Sequence, residues 1–345
     1  MSIKILKPEI QHNINETIVI YKYIYKLKEY SFKNKFLSYI PDIYIGIEGL
    51  VSLFIPHCIL TGIEIISDIS IDRNFYNNVQ NLVPIFKKWH KNNNLSLNIN
   101  IPITNKERKL NRKVITTFTL GVDSFYTLYS KLEKIDTIIF IIGFDVKKEN
   151  TYLVEIILQN LREVSKLYNK NLILCESDIQ NKVKHGSGFQ WGPYFHGPAL
   201  FNIIYCLSNI FETLYIASTH PLKDDYIWGS LFILDKNYSS FLKIEHHGDL
   251  TRVDKLKYLL TKDIRCLNYL RVCYKNKRLL KYNCTNCEKC LRTLYAIQIL
   301  GYKEKAITFD KNICGEKYWK FRPKNNSSKS FQTEIKNLLQ ESKNI

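Results

Sequence analysis

The chain has 345 residues, enough for a large core and a smaller second one. Hydrophobic residues make up 45% and charged residues 24%, which excludes a chain that is disordered throughout. The net charge of +18 favours anionic partners such as nucleotides, RNA, DNA or acidic lipid, but the lysines are scattered and form no stripe.

The first ten residues carry Lys4, Lys7 and Pro8 and have no apolar segment of the kind that leads a secreted chain. Short β-branched runs at 17–24, 43–53, 62–71 and 95–101 predict strands, and 76–91 predicts a helix. The most apolar stretch, 45–66, is interrupted by Glu48, Pro56, His57 and Glu64, so it reads as buried strands and not as a membrane span. These elements predict a β-rich N-terminal domain over 1–110. His12, His57 and His90 are isolated and read as structural.

After a polar break at 104–112 the pattern changes. Strands are predicted at 114–118, 135–144, 171–175 and 213–218, with helices from 124 to 132, at 152–168 and at 198–211. The run at 135–144 is apolar almost throughout, as in a strand buried on both faces. This alternation predicts an α/β domain with a doubly wound parallel sheet over 111–320. The last segment, 321–345, reads as a polar tail with a linker at 326–330 and a short helix at 334–341.

The first of those strands runs into Thr119-Leu120-Gly121-Val122-Asp123-Ser124, where a helix begins. Free amides at a helix start form an anion site, to which Thr119 and Ser124 can add hydroxyl donors. Gly121 allows close backbone approach, and Asp123 can orient the turn or hold Mg²⁺. The competing reading is a plain connection with Asp123 as the helix cap. The phosphate-loop pattern G-x-x-x-x-G-K-[ST] is absent.

Cys284, Cys287 and Cys290 form a C-x₂-C-x₂-C array, with Cys273 upstream. Four thiolates at this spacing can close around Zn²⁺ as a structural site over 273–290; an iron–sulfur cluster is the alternative. Nine cysteines, an odd number, fit a reduced cytoplasmic setting better than a disulfide framework.

Ligands of open α/β sheets bind beyond the carboxyl ends of the strands. That rule selects Lys184, His185, Gly186, Trp191, His196, Ser218, His220, Asp224, Asp225, Trp228, His246 and His247. Asp224 can serve as a base or a Mg²⁺ ligand, and His246 with His247 as a second metal site. Arg252 and Lys255 share a helix face and can clamp a phosphate.

The segment 118–124 resembles the S-G-G-x-D-S signature of the PP-loop ATP-pyrophosphatase superfamily, most closely proteins similar to 7-cyano-7-deazaguanine synthase. The similarity extends over about 112–302 and includes Ile142-Gly143-Phe144-Asp145, Tyr194 to Leu200 and the four cysteines. Thr119 stands where the signature has its first Ser, and Leu120 where it has its first Gly. The resemblance implies an adenine nucleotide alpha hydrolase-like fold, with ATP phosphates at Thr119, Gly121, Val122, Asp123 and Ser124 and adenine near Gly143. It also implies structural Zn²⁺ on Cys273, Cys284, Cys287 and Cys290.

The expected function is an ATP-dependent ligase that adenylates a small molecule, queuosine-like in its chemistry, releasing AMP and pyrophosphate. Asp123, Arg252 and Lys255 are its catalytic candidates, and His196 is a nucleotide contact. Two other classes stay open: a tRNA-thiolating enzyme using Cys175 or Cys206, and a nucleotide-binding or protein-conjugating defence protein. No membrane partner is expected; a homodimer is compatible.

Overall fold

The computed structural model describes residues 1–107, 113–183, 189–223, 227–275 and 281–343. In chain order the elements begin β1 (Ser2–Ile5), β2 (Glu9–Asn13), β3 (Glu16–Tyr25), β4 (Lys28–Phe36), α1 (Glu48–Thr61), β5 (Glu64–Ile66), β6 (Ile71–Asp72), α2 (Arg73–Gln80) and α3 (Leu82–His90). They continue with β7 (Ile99–Asn100), β8 (Ile103–Thr104), β9 (Lys113–Thr117), α4 (Val122–Ser130), β10 (Thr137–Ile142), α5 (Thr151–Leu167), β11 (Asn171–Ser177), α6 (Ile179–Lys182) and α7 (His196–Tyr205). The last are β12 (Phe211–Ala217), α8 (Phe232–Asp235), β13 (Lys243–His247), α9 (Arg252–Lys262), α10 (Glu288–Ile299) and α11 (Asn326–Lys343).

The architecture is α/β with a mostly parallel central sheet. The chain forms two compact units: Met1–Ile115 with Ile173–Tyr215 and Ile227–His246, and Thr116–Leu172 with Ile216–Tyr226 and His247–Ile345.

In the first unit the strands follow the order β11-β4-β3-β1-β5-β7, with β2 beside β3. β3 and β4 pair antiparallel from Thr17↔Phe36 to Tyr25↔Lys28. Lys26 and Leu27 turn this hairpin with φ of 52° and 60°, the left-handed geometry that matches strand twist. The first segment of this unit ends at Ile115, near the expected boundary at 110, and the unit also takes in Ile173–Tyr215 and Ile227–His246. β4 pairs antiparallel with β11 through Phe36↔Cys175, and α1 packs on α7. Backbone pairing and helix packing therefore bind the N-terminal segment to chain from beyond residue 170.

The run at 43–53, expected as a strand, lies largely in α1, where every residue from Glu48 to Ile59 is buried. A helix buried all round has no polar face, so its apolar run shows no period of 3.6 and resembles a core strand. Glu48 is buried without being isolated. It accepts from Lys106 Nζ at 2.8 Å, the Tyr44 hydroxyl at 2.9 Å and the Asp72 amide at 2.9 Å. Those bonds offset a desolvation that is costly for an unpaired carboxylate.

The second unit holds β10 with the end of β9 and the start of β11, its sheet neighbours, joined in sequence by α4 and α5. The Phe118 amide donates to Ile139 and the Asn171 amide to Asp136, which aligns the strands in parallel. All six residues of β10 are buried, as a strand covered on both faces requires. The C-terminal segment is no polar tail with a linker: 326–330 is the first part of α11. Phe331, Ile335 and Leu338, one helix face, are buried.

Candidate functional site

The turn after β9 is built from within. Leu120 has φ of +60°, uncommon for a residue with a Cβ, and its side chain is wholly buried. It therefore turns into the core, away from the mouth of the turn. Its carbonyl accepts from the Arg271 amide at 2.8 Å, which ties the turn to the segment leading into Cys273.

Gly121 caps α4 in an extended conformation, and the Phe125 amide makes the first intrahelical bond to its carbonyl. Asp123 is thus the second helical residue, not the cap. The Ser124 hydroxyl accepts from the amides of Gly121 at 3.1 Å and Thr119 at 3.3 Å and donates to the Gly121 carbonyl at 3.0 Å. It is engaged inside the turn, contrary to its expected role as an outward donor. The amides of Val122, Asp123 and Ser124 precede the first intrahelical donor, Phe125, and supply the anion-binding geometry.

Asp123 anchors a charge cluster. Arg252 donates from Nη2 to Oδ2 at 2.5 Å and from Nε to Oδ1 at 3.4 Å, and Lys255 Nζ lies 3.5 Å from Oδ1. Burial pushes the Asp123 carboxyl up, but Arg252 and then Lys255 outweigh it and hold it at about 2. Arg252 and Lys255 stand on the first turn of α9, three residues apart, so one face aims both at Asp123. Lys255 is fully buried; its ammonium also donates to the Ser218 carbonyl at 2.6 Å. Burial pulls this lysine down, against the pull of Asp123. Gly248, at φ +97°, lets the chain pass Lys255 and Tyr126, where a Cβ would come within 3.3 Å of both.

Two more cations, singled out by no motif, complete this neighbourhood. Both lie on α10, Lys289 between Cys287 and Cys290 and Arg292 just past Cys290. Burial and then Arg252 pull Lys289 down to about 8, against Asp145 and Asp123. Arg292 packs on the face of Phe331, 3.5 Å from the ring centre, and Arg252 lies 5.0 Å from the same ring. His220 stacks on Phe331 at 4.9 Å and meets the Ser327 hydroxyl at 3.0 Å. A cationic helix position within a turn of two cysteine ligands was visible in the sequence, but nothing there shows that it is buried near Arg252.

The sulfur atoms of Cys273, Cys284, Cys287 and Cys290 all lie within 4.8 Å of one another, the one such group among the described residues. Thiolates on a tetrahedral zinc at about 2.3 Å are roughly 3.8 Å apart, so the four converge as a metal site requires. The Cys287 amide donates to Cys284 sulfur at 3.2 Å, and the Cys290 amide to Cys287 sulfur at 3.4 Å. Cys287 also caps α10. Asn283, missed in the sequence, joins the two halves of the site. Its carbonyl oxygen accepts from the Val272 and Cys273 amides, and its amide group donates to the Leu270 carbonyl. Without a cation the sulfurs cannot all ionise: hydrogen bonds from Cys287 and Cys290 lower the Cys273 thiol, while the same bond to Cys273 pushes Cys287 up to about 12. The donor set fits Zn²⁺ with no position left open.

The remaining candidates are dispersed. Gly143 ends β10 with φ +106°, a conformation that glycine alone adopts readily, and its amide donates to Val146. His196 lies in the first unit, where its ring meets Trp191 edge-on at 5.4 Å. His246 and His247 do not converge on a metal. His246 meets Asp235 at 2.6 Å and His247 the Thr127 hydroxyl at 3.2 Å, because adjacent strand residues face opposite ways. His12 contacts nearby Thr17, and His90 contacts Tyr194, 104 residues away in sequence. Trp228 is partly exposed beside Gly192. Lys184, His185, Gly186, Asp224 and Asp225 lie outside the described residues.

Cys175 and Cys206 are both fully buried in the first unit. Burial pushes Cys206 up to about 11 and also raises Cys175, so neither is presented as a nucleophile. No helix among the described residues is long and apolar enough to cross a membrane. No protein-family model, curated protein or solved structure matches the chain.

Proposed function

We propose that the second unit binds a nucleoside triphosphate, ATP by its resemblance to PP-loop enzymes, and adenylates a small molecule. The observation that carries this reading is an ionised carboxylate, Asp123, at the open first turn of a helix, paired with two buried cations. A structural cap needs neither Arg252 nor Lys255. A polyphosphate needs both amides and cations, and they stand together here.

In the proposed reaction an oxygen of the substrate attacks the α-phosphorus and the α–β phosphoanhydride bond breaks. The bond's electron pair goes to the bridging oxygen of departing pyrophosphate. Arg252 and Lys255 oppose the charge that grows there, in a buried setting where such interactions exceed those in water. Magnesium suits this site, since Asp123 offers the hard oxygen donor that the ion takes beside phosphate oxygens. When bound, it would neutralise polyphosphate charge.

Leu120 turned into the core supports a turn open to phosphate, and the inaccessible Cys175 and Cys206 favour adenylation over thiolation. The zinc site serves as scaffold in this reading. The test is titration calorimetry of zinc-loaded protein with magnesium-ATP, followed by pyrophosphate release in the presence of a metabolite extract. Wild type should bind and release; Asp123→Ala should lose at least tenfold in affinity. Equal binding by the two proteins defeats the assignment.

A further inference from the structure

Beside Asp123 lies a second anion-binding arrangement that a residue of the chain itself fills. The first amides of α9, an 11-residue helix, point out of its N-terminus. The Thr251 hydroxyl takes the Asp254 amide at 3.1 Å. The other two, from Arg252 at 3.0 Å and Val253 at 3.3 Å, donate to Glu334 Oε2, which reaches them from α11.

Glu334 fills this place incompletely. Arg252 Nη1 and Arg292 Nε are buried donors with no hydrogen-bond partner, and Glu334 Oε1 is an acceptor with none. The two arginines are only 5% and 7% exposed, so water at the surface does not satisfy them. All three side chains line one small cavity, closed by Phe331 and Ile335 of α11. Unpaired buried guanidinium donors are costly. A carboxylate has two oxygens, and here one serves both helix amides. A phosphoryl group has three or four, spread tetrahedrally, and can meet the amides and both guanidinium groups together. Burial also pushes the Glu334 carboxyl up, against Arg252, so the resident anion is held under strain of its own charge.

We propose that the N-terminus of α9, with Arg252 and Arg292, is a phosphoryl-binding site that Glu334 occupies as an internal substitute, and that α11 is released when a phosphoryl group takes its place. The site is distinct from the turn at Asp123 and needs no nucleotide, although Arg252 borders both. Phosphoryl binding exchanges Glu334 and the Phe331 ring for a ligand, which frees the C-terminal helix along the face that carries Phe331, Ile335 and Leu338.

The test uses the full zinc-loaded chain, inorganic phosphate and pyrophosphate as ligands, and hydrogen exchange of the α11 amides as the readout. Addition of either ligand to wild type should speed exchange across Asn326–Lys343. Glu334→Gln, which removes the competing charge, should bind both about tenfold more tightly. Arg292→Leu in that background should remove the gain. Unchanged α11 exchange, or affinities equal within twofold in wild type and Glu334→Gln, leaves the cavity to a water molecule and overturns the proposal. Magnesium-ATP binding with that result leaves the Asp123 reading standing. Phosphate-driven release of α11 in protein that ignores ATP supports the α9 site and removes the nucleotide reading.

Discussion

Asp123 and Arg252, 129 residues apart in sequence, are joined by two hydrogen bonds, at 2.5 Å and 3.4 Å. The pair sets the electrostatics of the whole turn, because each partner is largely buried and its desolvation is offset by the other. Removing one member leaves an uncompensated charge, typically a loss of about 3–5 kcal/mol for a fully buried pair. Arg252→Met should lower unfolding stability by about 3 kcal/mol, toward the low end because Lys255 remains near Asp123. Urea denaturation should show a coupling energy of about 1 kcal/mol or more in the Asp123→Asn/Arg252→Met double-mutant cycle. Additive effects would separate the two residues.

Acid should report on the same carboxylate. Asp123 is held at about 2 against an ordinary 3.8, so its folded form is the more readily ionised. Its contribution, about 2 kcal/mol, is fully present above pH 3.8 and is lost as pH falls through about 2. The stability gap between wild type and Asp123→Asn should therefore be constant near neutrality and close between those values. A gap that persists at pH 2 would place the stabilisation elsewhere.

The cysteine site should hold one zinc per chain, and a strong chelator at neutral pH should lower the melting temperature of the whole second unit. Asn283→Ala keeps every thiolate but frees the Val272 and Cys273 amides from their shared acceptor. Loss of such an outer-shell partner usually weakens metal affinity about 10–100-fold, and competition with a chromogenic chelator should detect it. Iron with a visible absorption band in wild type would reassign the metal.

Leu120 separates conformational strain from packing. Leu120→Gly relieves left-handed backbone worth about 1–2 kcal/mol. It also empties a fully buried side-chain site, which costs about 2–5 kcal/mol. The cavity wins, and the variant should be less stable by about 2 kcal/mol. Nucleotide affinity should change less than threefold, because the side chain faces the core. Markedly tighter binding by the glycine variant would show that Leu120 obstructs the ligand.

Most α/β elements after residue 113 were legible because their periods are distinct: β10 is continuously apolar, and α5 repeats every three to four residues from Leu153 to Val164. The four cysteines were legible because ligand spacing is local. Helix α1 was not, since a helix buried on every side carries no period. Nor was α11, although Phe331, Ile335 and Leu338 already spell one helical face among polar neighbours. Arg252 and Lys255 could be chosen as a pair from their spacing, but their partner could not. Lys289, Arg292, Glu334 and Asn283 acquire roles only through interactions between residues distant in sequence, which no local pattern encodes.

One backbone hydrogen bond, Arg271 to the Leu120 carbonyl, gives the cysteine knuckle a reach beyond its own fold. Two residues downstream the chain donates its Cys273 sulfur, held in register by Asn283. Loss of the ion would slacken this short tether and let the left-handed Leu120 relax toward commoner geometry. On the proposed reading, trace-metal scarcity would then disturb the very turn that is to receive the nucleotide.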